Sequence, residues 1–384
     1  MKLLWKNREQ YRVAFFYIVF IWLLVSMPVF SKGFFQEQTE WYIISMLLVI
    51  NVLTIVNCYF AFYKIYEDYG ISAICTAMFT LSVYRYGKYM LERDMNELFI
   101  MAILPVIFYA IYELATGKIH EKWSLCPDII LILCYLLTIA IDLKSYEIVA
   151  GTVVIILLVH FVSVRDYRQE LELLITLIVP MPAYLFRLST SLSEFSLIQE
   201  KGTQLSSILV DFWLIKTEVM DNELDPICYQ PGGIGLFALS GLFLFFVLWL
   251  SGHIRIKNQR RETFFTAIAL NAVVLILMSL RAFPWDRIQL INGVTYRIIG
   301  VLEKPVNLIC EAVLFLAICW GYLIKRCKEK YSEREYYFCV VVAVVAVLVS
   351  GVYIMDAGNM KTDYYAEIQM QNGIGEEVYV ESED

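Results

Sequence analysis

The stretch LMSLRAFPWDRIQLINGVTYRIIGVLEKPVNLICEAVLFL, Leu277–Leu316, joins one apolar run to the next through a segment dense in charge and aromatic rings. Between the two runs lie Arg281, Phe283, Pro284, Trp285, Asp286, Arg287 and Arg297. Ionisable side chains are costly at bilayer depth, so a cluster of this kind faces a polar cavity or lipid head groups. A plain membrane anchor has no use for it. Any chemistry in this chain is expected here.

Outward from this stretch the apolar pattern repeats along most of the chain. Only 18% of the 384 residues are charged and 59% are hydrophobic, and the runs reach the length of about 20 residues that a spanning helix needs. Because unpaired backbone is not tolerated in hydrocarbon, the expected class is an all-α, polytopic helical integral membrane protein. The clear spans are Tyr11–Phe30, Trp41–Tyr63, Leu98–Leu114, Tyr146–Val164, Leu171–Leu188, Gly233–Leu250, Phe264–Leu280, Pro305–Ile324 and Tyr336–Ile354. Gly70–Tyr84 and Asp128–Ile141 are shorter. The total is about eleven transmembrane helices, or about nine if the short pair are re-entrant or interfacial.

Basic residues set the orientation. Lys2, Lys6, Arg8 and Arg12 precede the first span and place the N-terminus in the cytoplasm. With eleven spans, Arg165, Arg168, Arg255, Lys257, Arg260, Arg261, Lys325, Arg326, Lys328 and Lys330 then fall inside as well. The acidic segment 189–231 and the acidic tail 356–384 fall outside, giving one membrane domain over 1–355 and an extracytoplasmic C-terminus. The nine-span version differs only in placing Lys64–Glu97 inside and Thr116–Lys144 outside. MPVFSKG lacks a small-x-small cleavage site, so the first span reads as a signal-anchor.

Several chemistries are excluded by what the residues lack. No GxxxxGKS/T, GxGxxG or GxSxG occurs, and no His/Cys set has zinc spacing, so neither a metal site nor a cofactor is expected. The net charge of −7 sorts by side of the membrane and gives no reason to expect nucleic acid as a partner.

A second segment of interest is YRYGKYMLERDMNELFIMAILP, Tyr84–Pro105. Arg93 and Glu97 are four apart, which on a helix is one face, and Asp94 lies beside them. They read either as an exposed helical ion pair or as a carboxylate and guanidinium held at the interface, with three tyrosines and Lys88 nearby. Pro105 suggests a kink that opens a cavity. In the first stretch, Arg281, Arg287 and Arg297 sit on the outer side against the positive-inside trend, and the planar arginine fork suits bidentate phosphate contact. Trp285 by itself reads as an interfacial anchor. With the arginines, Lys304 and Asp286, it reads as part of a phosphate-handling cavity. The outer segment holding Leu205, Ile208, Leu209, Phe212, Trp213 and Ile215 is expected to form an amphipathic helix, as a lid or as a structural cover.

In these two segments the chain resembles the YfhO-like bacterial multi-pass membrane proteins, which have the GT-C glycosyltransferase architecture. An R-x-x-x-E followed by an apolar run ending in Leu-Pro is matched by Arg93, Glu97, Leu104 and Pro105, and a following aromatic pair by Phe108-Tyr109. Val179-Pro180, Gly233-Ile234-Gly235, Phe283-Pro284-Trp285 and Lys304-Pro305 resemble later motifs in the same order. The likeness runs from about Trp41 to Ile324. The chain departs from the pattern in its first outer loop, Ser31–Glu40, which is short and has Glu37 and Glu40 but no aspartate. It looks like a family core shortened at both ends.

The resemblance implies a GT-C-like fold in a bacterial cell membrane. It implies transfer of a sugar from a polyprenyl-phosphate donor, itself a membrane lipid, to a cell-envelope glycan. A carboxylate would take the acceptor's proton, and cations would stabilise the departing lipid phosphate. The implied catalytic residues are Glu97 and Asp94, with Glu37 and Glu40 behind them. Arg93, Arg281, Trp285, Asp286, Arg287 and Arg297 are the implied substrate-binding residues. Two alternatives stand beside this reading: a non-catalytic membrane component working with an envelope-assembly protein, and a transporter or flippase for a lipid-linked sugar. A transporter would be favoured by paired carboxylates buried at mid-span, and the spans have few: Glu311 in Pro305–Ile324 and Asp142 at the edge of another.

Overall fold

A computed structural model describes residues 13–23, 26, 41–86, 88, 94–117, 127–163, 167–190, 234, 236–252, 259–280, 282–292, 296–297, 302, 305–330, 333–334, 336–337, 340–341 and 343–344. Regular structure among them is helical: α1 Val13–Leu23, α2 Trp41–Tyr66, α3 Tyr69–Thr80, α4 Val83–Tyr86, α5 Met95–Thr116, α6 Pro127–Ile141 and α7 Leu143–Ser163. There follow α8 Arg168–Ile178, α9 Met181–Thr190, α10 Leu236–Leu250, α11 Arg260–Ser279, α12 Trp285–Gln289, a 3-10 turn Pro305–Leu308 and α13 Ile309–Lys330.

Among the described residues six helical stretches are long and apolar enough to cross a bilayer: Ile44–Tyr66, Met95–Thr116, Leu143–Ser163, Arg168–Thr190, Arg260–Ser279 and Pro305–Glu329. The chain is an all-α, multi-pass membrane protein. The two short candidates read from the sequence are helices as well, at α3 and α6. Most of the acidic segment 189–231, the loop 31–40 with Glu37 and Glu40, most of the last expected span and the tail 356–384 lie outside the described residues.

α13 is the axis of the bundle. Its apolar window is wholly buried, whereas the Arg168–Thr190 window is 28% buried and shows most of its surface to the surroundings. α13 packs against α2, α3, α10 and α11. Between helices in lipid, close packing takes the place of the hydrophobic drive, and small residues permit it. Gly321 shows this. A Cβ there would lie 2.5 Å from the Tyr66 ring and 2.6 Å from Cys75 Sγ, so α13 meets α2 and α3 at contact distance. Beside it, the Tyr66 hydroxyl donates to the Ile318 carbonyl at 2.5 Å.

The helix ends sort into two groups. At one end Lys328 pairs with Asp68 at 2.5 Å, Lys325 donates to the Tyr66 carbonyl at 2.6 Å, and Arg326 pairs with Glu262 at 3.2 Å. His160 lies 3.4 Å from Glu170 at the α7–α8 junction. Gly117, which ends α5 at φ 69°, sits so close to Gln169 that any Cβ would collide with its amide at 2.0 Å. Asp68 caps α3 by accepting from Ile71 N at 3.0 Å. Burial pushes the Asp68 carboxyl up, but the Lys328 hydrogen bond and the α3 amides outweigh it, and its pKa ends below the usual value.

The other end holds the starts of α5 and α13 and the tight α6–α7 turn at Asp142. That turn is a true reversal, since the Tyr135 and Tyr146 rings meet at 5.7 Å. From α9, Arg187 returns to cap α6 through the Ile139 carbonyl at 2.6 Å and the Ala140 carbonyl. Lys88 pairs with Glu97 here, so the stretch from Asp68 to Lys88 passes from one end of the bundle to the other. α5 runs on through Pro105 without a break, and Asn57 donates to the Ala102 carbonyl at 2.8 Å, one turn before the proline.

Candidate functional site

The charged centre at this second end grows out of local helix chemistry. Asp94 is the N-cap of α5, and its carboxylate accepts from the Glu97 amide at 3.1 Å, as a short acidic side chain before a helix is suited to do. That fixes the first turn and leaves the Glu97 side chain to face inward, where it is 3% exposed. Lys88 meets it at 2.9 Å, itself 4% exposed, and the Tyr84 hydroxyl donates to its other oxygen. The Lys88 ammonium also lies 5.6 Å from the Tyr84 ring centroid. In its ionised form this buried carboxylate has a cation and a phenol on it. It can accept a proton from a hydroxyl that reaches it.

The helical ion pair that the spacing of Arg93 and Glu97 suggests falls partly outside the described residues. α5 begins at Met95, after Asp94, and Arg93 lies outside the described residues. Among the described residues the cation on Glu97 is Lys88, which precedes α5 in the chain.

Deeper in the bundle lies a residue that the sequence reading passed over. Arg85 is 1% exposed, and its guanidinium donates to Asn51 Oδ1 at 2.6 Å, Thr54 Oγ1 at 3.4 Å and the Thr80 carbonyl at 3.2 Å. Asn51 is about 15 Å along α2 from Trp41, at 1.5 Å per residue, so this polar group is set well below the helix ends. A signal was present: Asn51 and Thr54, three apart in an apolar run, mark a stripe that must face a polar partner.

The α11–α13 connection stands at the same end. Phe283, Pro284 and Trp285 form a tight turn in which the two rings lie 4.8 Å apart. The Trp285 indole is buried and donates to the Met278 carbonyl at 2.7 Å, fastening the turn to the last residues of α11. Arg287 and Arg297 are exposed. Arg281 and the side chain of Asp286 lie outside what is described. Cys310, second in α13, is within electrostatic reach of Glu97, Lys88, Glu311 and Asp142, which ties this connection to the Glu97 centre.

The arrangement thus brings together Tyr84, Lys88, Glu97 and Asp94, places Arg287 and Arg297 on the same end of the bundle, and gives Trp285 a structural bond. Among the described residues no group of three or more His, Cys, Asp or Glu side chains could hold a metal ion. No protein-family model matches the chain, and no curated protein matches it at a significant level.

Proposed function

We propose that the chain is a GT-C-like glycosyltransferase of a bacterial cell membrane, taking a sugar from a polyprenyl-phosphate donor for a cell-envelope glycan. One observation carries the reading: the Glu97 centre and the exposed Arg287 and Arg297 share one end of the bundle. Glu97 takes the proton of the acceptor hydroxyl while that oxygen bonds to the anomeric carbon. The bond from that carbon to the lipid phosphate breaks, and the configuration inverts. Arg281, Arg287 and Arg297 receive the charge left on the phosphate. Lys88 and Tyr84 hold Glu97 as the anion beforehand. Since Glu97 is shielded, the acceptor has to displace some of its present neighbours to reach it.

In this reading the chain crosses the membrane about eleven times, because α3 with α4, and likewise α6, run between the two ends. The end rich in lysine and arginine around α13 is cytoplasmic, and the Glu97 end is extracytoplasmic.

A second reading, export or flipping of the same lipid-linked sugar, is favoured by one separate feature, the buried Glu311 in α13. Purified wild-type protein supplied with a pool of polyprenyl-phosphate-linked sugars separates the two. Release of free polyprenyl phosphate supports transfer. Movement of the intact lipid across vesicles without release removes the transferase reading.

A further inference from the structure

Glu311 occupies the third position of α13, inside a stretch long and apolar enough to span the membrane. It is 1% exposed. Its Oε2 is buried with no hydrogen-bond partner among the described residues, and no lysine or arginine there pairs with it. A carboxyl in the first turn of a helix ordinarily serves the free amides of that turn, and this one does not. The Tyr135 hydroxyl, also fully buried, likewise has no hydrogen-bond partner among the described residues, and it lies within the electrostatic reach of Glu311. Asp142, which accepts from Ser145 at 2.5 Å, completes the group at the α6–α7 turn.

An ionised carboxylate in this position would lack a counter-charge and would face the field of a second carboxylate. Both effects favour the neutral acid, and burying an unpaired charge is the more costly state. A divalent cation would need more donors than stand here. We propose that Glu311, facing Asp142 and Tyr135, is an intramembrane site for one exchangeable proton. Bound, the proton makes Glu311 a neutral acid, the state that burial without a counter-charge favours. Released, it leaves toward the Asp142 turn at the near end of the bundle.

The groups around the site agree with this. Among the described residues Asp142 is the charged group whose field acts on Glu311. Lys88 and Glu97, from the α4–α5 side, neutralise each other at 2.9 Å, and α6 offers Tyr135. Cys310 is the neighbour on the same helix. Buried ionisable groups in membrane helices mark proton and ion pathways, which gives the site a use beyond sugar transfer. The proposal rests on neither functional reading above.

Infrared spectroscopy of the protein in lipid nanodiscs at pH 7 tests it without any activity. The wild type should show the C=O stretch of a protonated carboxylic acid that Glu311→Gln removes. Replacing water with D2O should lower that band, because the proton exchanges. Glu311→Asp should move the band rather than abolish it, which keeps the assignment open to test if the glutamine variant does not fold. Tyr135→Phe should shift it by removing the hydroxyl. No band attributable to Glu311 would overturn the proposal, as would a band blind to D2O. A band that disappears on adding Na+ at constant pH would assign the site to sodium instead and overturn it too.

Discussion

Replacing Lys88 with methionine tests how the Glu97 centre is held together. The change keeps most of the side-chain volume and removes the charge 2.9 Å from a carboxylate that is 3% exposed. Breaking a buried pair by deleting one partner costs about 3–5 kcal/mol, because the other charge is stranded. Glu97 has one escape, which is to take up a proton. At pH 7 that costs about 3.7 kcal/mol, from a reference carboxylate value near 4.3 and about 1.36 kcal/mol per pH unit. This caps the penalty at pH 7 and lowers the cap to about 1 kcal/mol at pH 5. Lys88→Met should therefore be destabilised by about 3–4 kcal/mol at pH 7 and recover most of that by pH 5. Adding Glu97→Gln should restore much of the loss at pH 7. Reversible unfolding in bicelles, followed for both single variants and the double variant at the two pH values, gives the numbers. A loss below about 0.5 kcal/mol at pH 7, or one that is the same at both pH values, would refute the buried pair.

Further outcomes follow from other contacts. Gly321→Ala should cost about 1–3 kcal/mol by forcing Tyr66 and Cys75 apart, read as a lower Tm in detergent. Trp285→Phe should cost about 1 kcal/mol, since it removes the bond to the Met278 carbonyl but keeps the ring contact with Phe283. Asp68 has a lowered pKa in the fold, so its stabilising effect is complete above its usual value of 3.8 and is lost as pH falls through the lowered one. The stability gap between wild type and Asp68→Asn should accordingly close in acid, and a gap that widens there would contradict the pairing. In a cysteine-free background, Asn96→Cys and Arg287→Cys, both exposed, should react with an impermeant maleimide from the same side of intact cells, and Arg334→Cys only after lysis.

The membrane class and the helices were legible because apolar runs of spanning length admit no other fold. Even the short α3 and α6 could be read as helical segments. Glu97 and Asp94 were legible as residues of interest, but the bonds that Lys88 and Tyr84 make to Glu97 were not. Spacing of four predicts neighbours only within one helix, and Lys88 lies outside α5, so periodicity does not show the Lys88–Glu97 pair. Arg85 was missed for a related reason: its partners Asn51 and Thr54 stand more than thirty residues away on α2. Trp285 could be read as an anchor or as part of a cavity, whereas its buried bond to Met278 depends on how tightly the Phe283-Pro284 turn folds back.

The central claim is that Glu97 takes the proton in a sugar transfer, and the initial rate of lipid-phosphate release tests it most directly. Wild type and Glu97→Gln are compared in the same membranes with the same polyprenyl-phosphate-linked sugar. The account predicts steady release by the wild type and none above background from Glu97→Gln, with the variant still folded and inserted. Equal release from both, or none from the wild type, would contradict it.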